Sequence, residues 1–168
     1  MIARLRKSHT HSTGLLAALI GAALVAWSGT ATAEVFNYCA SLDGAQEVPP
    51  VATPATGSGT FTIDTVANTM DFNITFSGLI GSESVAHIHG YCVPGVACAA
   101  RFTLPPGSPK IGTWNYPEAN ESDILAGLTY ANVHSSYRTG GEIRGQIVEC
   151  PPSATEESSW GMVKTLFR

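Results

Sequence analysis

The residues best suited to chemistry are three histidines, His87, His89 and His134. Residues i and i+2 of a β-strand share one face with Cα atoms about 6.6–6.8 Å apart, so the two imidazoles of a His-x-His pair can converge on one ion. A third imidazole from a neighbouring strand completes a three-nitrogen set suited to one Cu or Zn ion. The competing reading is a hydrogen-bonded structural cluster in which the rings satisfy loop backbone groups. The bare pattern is cheap, since His9 and His11 repeat it near the N-terminus. Arg144 can stand beside such a site and attract an anion, with Glu142 next to it in the strand; its alternative is an ion pair with Glu142 or Glu47.

Other chemistries find less support. There is no Gly-x-Ser-x-Gly elbow, and Ser135 and Ser136 beside His134 alternate faces of a strand, so no residue is assigned a catalytic role. Gly57-Ser58-Gly59 is too short for a phosphate loop and opens no helix, so no organic cofactor is implied. Asp43, Glu47, Glu118, Glu121 and Asp123 lack the spacing of a calcium loop and read as a solvated acidic face. Three methionines, one of them the initiator, are too few for a methionine-lined copper store.

The elements that must position the histidines are strands. Apolar and polar residues alternate in Thr60–Asp64 and Met70–Phe76, and the six residues Asp64 to Thr69 join these two as a hairpin. Further strands are expected at Val35–Leu42, Ser84–Gly90, Lys110–Asn115, Thr129–Ser135 and Glu142–Glu149, the last two joined through residues 137–141. Seven short strands predict an all-β sandwich. Residues 118–127 break the rhythm as a short helical turn capped by Ser122 or Asn120, with Ile124, Leu125 and Leu128 packed on the sheet edge. The Pro- and Gly-rich stretch from Asp43 to Gly59 is expected to be an ordered surface loop.

The chain has 168 residues, which predicts one domain, and its net charge of −4 disfavours a basic nucleic-acid surface. Arg4, Arg6 and Lys7 precede the apolar run Leu15 to Trp27 and the small residues up to Ala33, the three regions of a secretory signal peptide. The apolar run would extend only about 20 Å as a helix, short of a hydrocarbon core of about 30 Å. Cleavage after Ala33 leaves a secreted or periplasmic protein with no membrane span, six basic residues, thirteen acidic ones and a net charge of −7. The domain then runs over residues 34–150, and residues 151–168 form a linker and a C-terminal tail.

An exported chain meets oxidising conditions, so Cys39, Cys92, Cys98 and Cys150 are expected to form two disulfides. Of the three pairings, Cys92 with Cys98 brackets a short Pro/Gly loop and Cys39 with Cys150 brackets nearly the whole domain. A zinc–cysteine site is the competing reading, although no Cys-x-x-Cys knuckle is present.

Several segments together resemble the CHRD domain family, named after chordin and found in many secreted bacterial proteins. They are Leu42-Asp43-Gly44-Ala45-Gln46-Glu47-Val48-Pro49-Pro50, Ala86-His87-Ile88-His89-Gly90, Tyr130-Ala131-Asn132-Val133-His134 and Gly141-Glu142-Ile143-Arg144-Gly145-Gln146. The resemblance spans about Val35 to Glu149 and implies an immunoglobulin-like or Greek-key β-sandwich. It also implies a binding module, since chordin is an extracellular binder of growth factors; the ligand here is an unidentified extracellular or periplasmic one. Cys92 and Cys98, after the His-x-His strand, depart from the family pattern. A His-x-His strand with a later histidine on another strand of a sandwich also looks like the copper site of copper,zinc superoxide dismutase. That analogy supplies the second functional reading, a mononuclear copper protein with superoxide-dismutase-like redox activity. With no further histidine in the mature chain to bridge to a zinc, a two-metal site is excluded.

Overall fold

A computed structural model describes residues 34–152. The signal peptide expected at residues 1–33, and residues 153–168 of the linker and tail expected at 151–168, lie outside the described residues. Eight antiparallel strands form one sheet: β1 (Val35–Asp43), β2 (Thr56–Asp64), β3 (Thr69–Ser77), β4 (Glu83–Gly90), β5 (Ala100–Thr103), β6 (Lys110–Asn115), β7 (Thr129–Ser135) and β8 (Ile143–Glu149). Their order across the sheet is β5-β4-β7-β8-β1-β2-β3-β6. Among the described residues, no helix is long and apolar enough to cross a membrane.

The strands form where the alternation demands it. Phe61 and Ile63 of β2 and Met70, Phe72 and Ile74 of β3 are buried while their neighbours face water. The β2–β3 hairpin closes as expected, with the Asp64 carboxylate accepting from the backbone N–H groups of Val66 (2.9 Å) and Ala67 (2.8 Å). The apolar faces of all these strands enter one core, which also takes Ala86 and Ile88 of β4 and Val133 of β7. The expected two layers are therefore one sheet folded over on itself and nearly closed. Across the seam, Phe102 of β5 lies 5.9 Å from Trp114 of β6 and 5.9 Å from Phe72 of β3, measured between ring centroids. Buried Lys110 also bridges the seam, pairing with Glu83 of β4 and donating to the Pro105 carbonyl (2.8 Å).

Three expectations need correction. The strand count is eight rather than seven, because the four residues of β5 add an edge strand paired to β4 alone. The stretch from Asp43 to Gly59 is not all loop: residues 56–59 extend β2 and pair with both β1 and β3. Glycine is required there by packing, since a Cβ at Gly59 would lie 2.8 Å from the Phe61 ring. The short helix α1 (Glu121–Leu125) follows a 3-10 turn and buries Ile124 as expected, but neither proposed cap works, since Asn120 occupies the N-cap position and makes no side-chain bond there. What holds this segment is the Tyr38 hydroxyl, which donates to the Leu125 carbonyl at 2.6 Å, and the Tyr116 hydroxyl, which donates to Glu121 at 3.0 Å.

Both expected disulfides are present, Cys39–Cys150 and Cys92–Cys98, and no described cysteine is free. They fit an oxidising compartment.

Candidate metal centre

All seven residues of β7 are buried, although only alternate ones face the core. Ala131 and Val133 enter the core, so Tyr130, Asn132 and His134 point to the other side, where loops cover them. On β4, Ala86 and Ile88 likewise point inward and leave His87 and His89 on the outer face. The register pairs His89 with Tyr130 and His87 with Asn132, which places His134 diagonally across from His87 on the same face.

The three imidazoles meet there. Their ring centroids form a nearly equilateral triangle, with separations of 5.1 Å (His87–His134), 5.4 Å (His87–His89) and 5.7 Å (His89–His134). One nitrogen from each ring lies within 4.8 Å of the other two. Nδ1 of His87 and Nε2 of His134 are 3.2 Å apart. Nitrogens bound to one tetrahedral zinc ion at about 2.0–2.1 Å sit about 3.3–3.4 Å from each other, so this hydrogen-bonded pair has the spacing to share an ion once the proton on His87 Nδ1 moves to its Nε2.

Two of the other nitrogens are anchored by backbone carbonyls. Nδ1 of His89 lies 2.7 Å from the Cys98 carbonyl and Nδ1 of His134 lies 2.9 Å from the Thr139 carbonyl. A carbonyl only accepts, so both Nδ1 atoms carry the proton and both Nε2 atoms present a lone pair. Nε2 of His89 is buried and has no hydrogen-bond partner among the described residues. Backbone anchoring of the far nitrogen is the arrangement that orients a metal-binding imidazole. Burial lowers the pKa of His87, with His134 adding to the effect. Burial is also the largest cause of the lowered pKa of His89, and His134, His87 and Arg144 act in the same direction. Both rings are therefore neutral at neutral pH, as ligation requires.

Around this triangle is a buried polar layer. Tyr130 stacks on His89, with centroids 4.9 Å apart and planes inclined by 9°. The Arg144 guanidinium carbon lies 3.5 Å from the centre of the Tyr130 ring. The same guanidinium donates to the Val96 carbonyl (2.8 Å) and to Gln146 (3.3 Å). Arg144 makes no ion pair with Glu142 or Glu47; among the described residues the only ion pair is Lys110–Glu83. Glu142 serves a different place. Its carboxylate accepts from Thr53 Oγ1 (2.7 Å), the Ile80 backbone N–H (2.7 Å) and Ser135 Oγ, and none of these bonds reaches a histidine. Glu47 does not belong to a solvated acidic face, because it is buried beside Asn132 and Gly141. Burial raises its pKa to about 7, against the opposing pull of Arg144 and of hydrogen bonds from Asn132 and Val48.

Residues 38–147 match the model of the CHRD domain. The chain belongs to the CHRD domain family. No curated protein and no solved structure matches it. In this CHRD domain, sequence reasoning found the three histidines but missed Tyr130 and the carbonyls of Cys98 and Thr139. Tyr130 was within reach, since it shares the face of His134 four residues earlier on the same strand. A carbonyl partner leaves no trace in residue identity.

Proposed function

We propose that this CHRD domain is an exported binding module that holds one Cu or Zn ion on His87, His89 and His134. The observation that carries the reading is the buried, unpartnered Nε2 of His89, whose Nδ1 is held by a backbone carbonyl. A structural cluster explains the Nδ1 bonds of His89 and His134 but leaves that lone pair without a partner, at a cost of about 1–3 kcal/mol. An ion supplies the missing partner. Export is supported by the signal-like N-terminus and the two disulfides.

Titration of the apo protein with Cu²⁺ or Zn²⁺ tests the reading. Stoichiometric binding to wild type, lost in His87→Ala and in His134→Ala with unchanged β-sheet circular dichroism, is the expected result. Equal affinity of wild type and the double variant would remove it, and a melting temperature that drops in the variants without any metal would favour the structural cluster.

A second reading, a mononuclear copper protein with superoxide-dismutase-like activity, draws support from the ligand count. Three protein nitrogens leave a coordination position for a further ligand, as in catalytic rather than structural sites, and His87 is only half-buried. Dismutation by the copper-loaded protein no faster than by copper-treated His134→Ala would exclude it.

A further inference from the structure

The loop between β4 and β5 closes over the histidine triangle, and its inner end touches the centre directly. The main chain of Cys98 is gripped on both sides: its carbonyl accepts from Nδ1 of His89 at 2.7 Å, and its N–H donates to the Tyr130 hydroxyl at 3.0 Å. The Arg144 guanidinium also donates to the Val96 carbonyl at 2.8 Å, and the Gly90 N–H donates to the Ala99 carbonyl at 3.1 Å. Residues 93–97 are all exposed, with Val93 at 57% and Val96 at 46% of full exposure, so no apolar burial fastens the loop. The strand that follows, β5, is four residues long and pairs on one side only. The covalent constraint on this end is the bond from Cys98 back to Cys92, whose own N–H is tied to the Leu128 carbonyl at 2.9 Å.

We infer that the Cys92–Cys98 disulfide is a positioning element of the metal centre, and that its reduction weakens metal binding while leaving the β-sheet folded. The inference rests on the metal reading above. Opening the bond leaves Cys98 held against His89 by hydrogen bonds alone, so the ring loses the fixed acceptor that keeps its proton on Nδ1 and its lone pair on Nε2. Loss of such an anchoring partner typically costs about 10–100-fold in metal affinity. The sheet does not depend on this bond, because the core strands are closed by Cys39–Cys150 and by their own ladders. The reductant is a dithiol. One thiolate attacks a sulfur of the pair to give a mixed disulfide, and the second thiol displaces the protein sulfur; two electrons and two protons pass to Cys92 and Cys98, and the dithiol leaves as its disulfide. Both cysteines are partly exposed, so the attack has a path.

The test compares wild type with the Cys92→Ser/Cys98→Ser double variant by calorimetric titration with Zn²⁺, alongside nitrogen NMR of the His89 ring. The expected result is one Zn²⁺ bound by wild type, about 10–100-fold weaker binding by the variant, an unchanged far-ultraviolet circular dichroism spectrum, and a His89 proton that no longer resides on Nδ1 alone. If wild type binds no Zn²⁺, the metal reading itself fails. If wild type binds and the variant matches it, or binds more weakly with the His89 tautomer unchanged, the metal reading stands and the positioning role is overturned. Should the double variant not fold, zinc-loaded wild type is treated with a water-soluble phosphine, which delivers its electron pair to the disulfide and takes up oxygen from water. Zinc release with Cys39–Cys150 shown intact by mass mapping is then the expected outcome, and full zinc retention after Cys92–Cys98 has opened overturns the proposal.

Discussion

Tyr130 lies flat against His89, and its hydroxyl receives the backbone N–H of Cys98, the residue whose carbonyl holds the same histidine. One aromatic side chain thus supports the ring by its face and the ring's acceptor by its edge.

Tyr130→Phe separates these two roles. The stack on His89 remains, while the Cys98 N–H loses its partner at a cost of about 1–3 kcal/mol. Thermal melts should show that loss, and metal affinity should fall without vanishing. Tyr130→Ala also removes a fully buried ring and should cost about 3–5 kcal/mol. A Tyr130→Phe variant as stable as wild type would show that the hydroxyl contributes nothing.

Acid should affect the apo protein and the metal complex in the same direction. The pKa values of His87 and His89 are lowered in the folded state, so the unfolded chain binds more protons as pH falls. Their stabilising contribution is present above the unfolded value of about 6.5 and is lost as pH drops from there through the folded values. Metal affinity should decline as pH falls through the lowered folded values, which lie below about 6.5, with protons released on binding in that lower range. Denaturant midpoints and calorimetry in buffers of different ionisation enthalpy measure the two effects. Affinity that rises on acidification would contradict the neutral-ligand picture.

Glu47 has the opposite sign. Its pKa rises from 4.5 to about 7 on folding, so its stabilising contribution is present below about pH 4.5 and is lost as pH climbs through about 7. Glu47→Gln removes this titration. Relative to wild type, the variant should gain stability between pH 5 and pH 8, read as a melting-temperature difference that grows with pH. A difference independent of pH would show that Glu47 ionises freely.

Glu142 should be a hub of stability rather than a participant in binding. Burial alone would raise its pKa, but hydrogen bonds from Ser135, Ile80, Thr53 and Gly81 outweigh it and leave the value lowered. Its stabilising contribution is therefore present above the unfolded value of 4.5 and is lost as pH falls through the folded one. Glu142→Ala leaves buried Ser135 and the part-buried donors of Thr53 and Ile80 without their acceptor and should cost about 3–5 kcal/mol, at about 1–3 kcal/mol for each orphaned group. In Zn²⁺ titrations below the melting transition the variant should bind as wild type does, and a selective loss of affinity would place Glu142 in the metal centre after all.

The strands were legible wherever alternation ran for five or more residues, because a half-buried strand must repeat with period two. Strand β5 escaped because it has four residues, mostly exposed, between Cys98 and two prolines. The start of β2 escaped because Gly57 and Gly59 are weak strand formers, and their packing against Thr75 and Phe61 becomes visible only once β3 is in place. Of the site, the shared face of His87 and His89 followed from strand geometry, whereas the register that sets His134 beside them needed the folded sheet. Glu142 was read as a neighbour of Arg144 because they are two residues apart, yet its partners Thr53 and Ile80 lie 89 and 62 positions away, a proximity that only the folded chain creates.

The Cys39–Cys150 bond joins the first strand to the residue just past the last one, and the Cys150 N–H donates to the Asn37 carbonyl beside it at 3.0 Å. Covalently, the domain is a ring. A single proteolytic cut in any surface loop between these cysteines opens the ring without releasing a piece, so a nicked domain can keep its strands and its histidines together until the disulfide is reduced. Chain on either side of the ring leaves from one point on its rim, like two threads tied to the same bead.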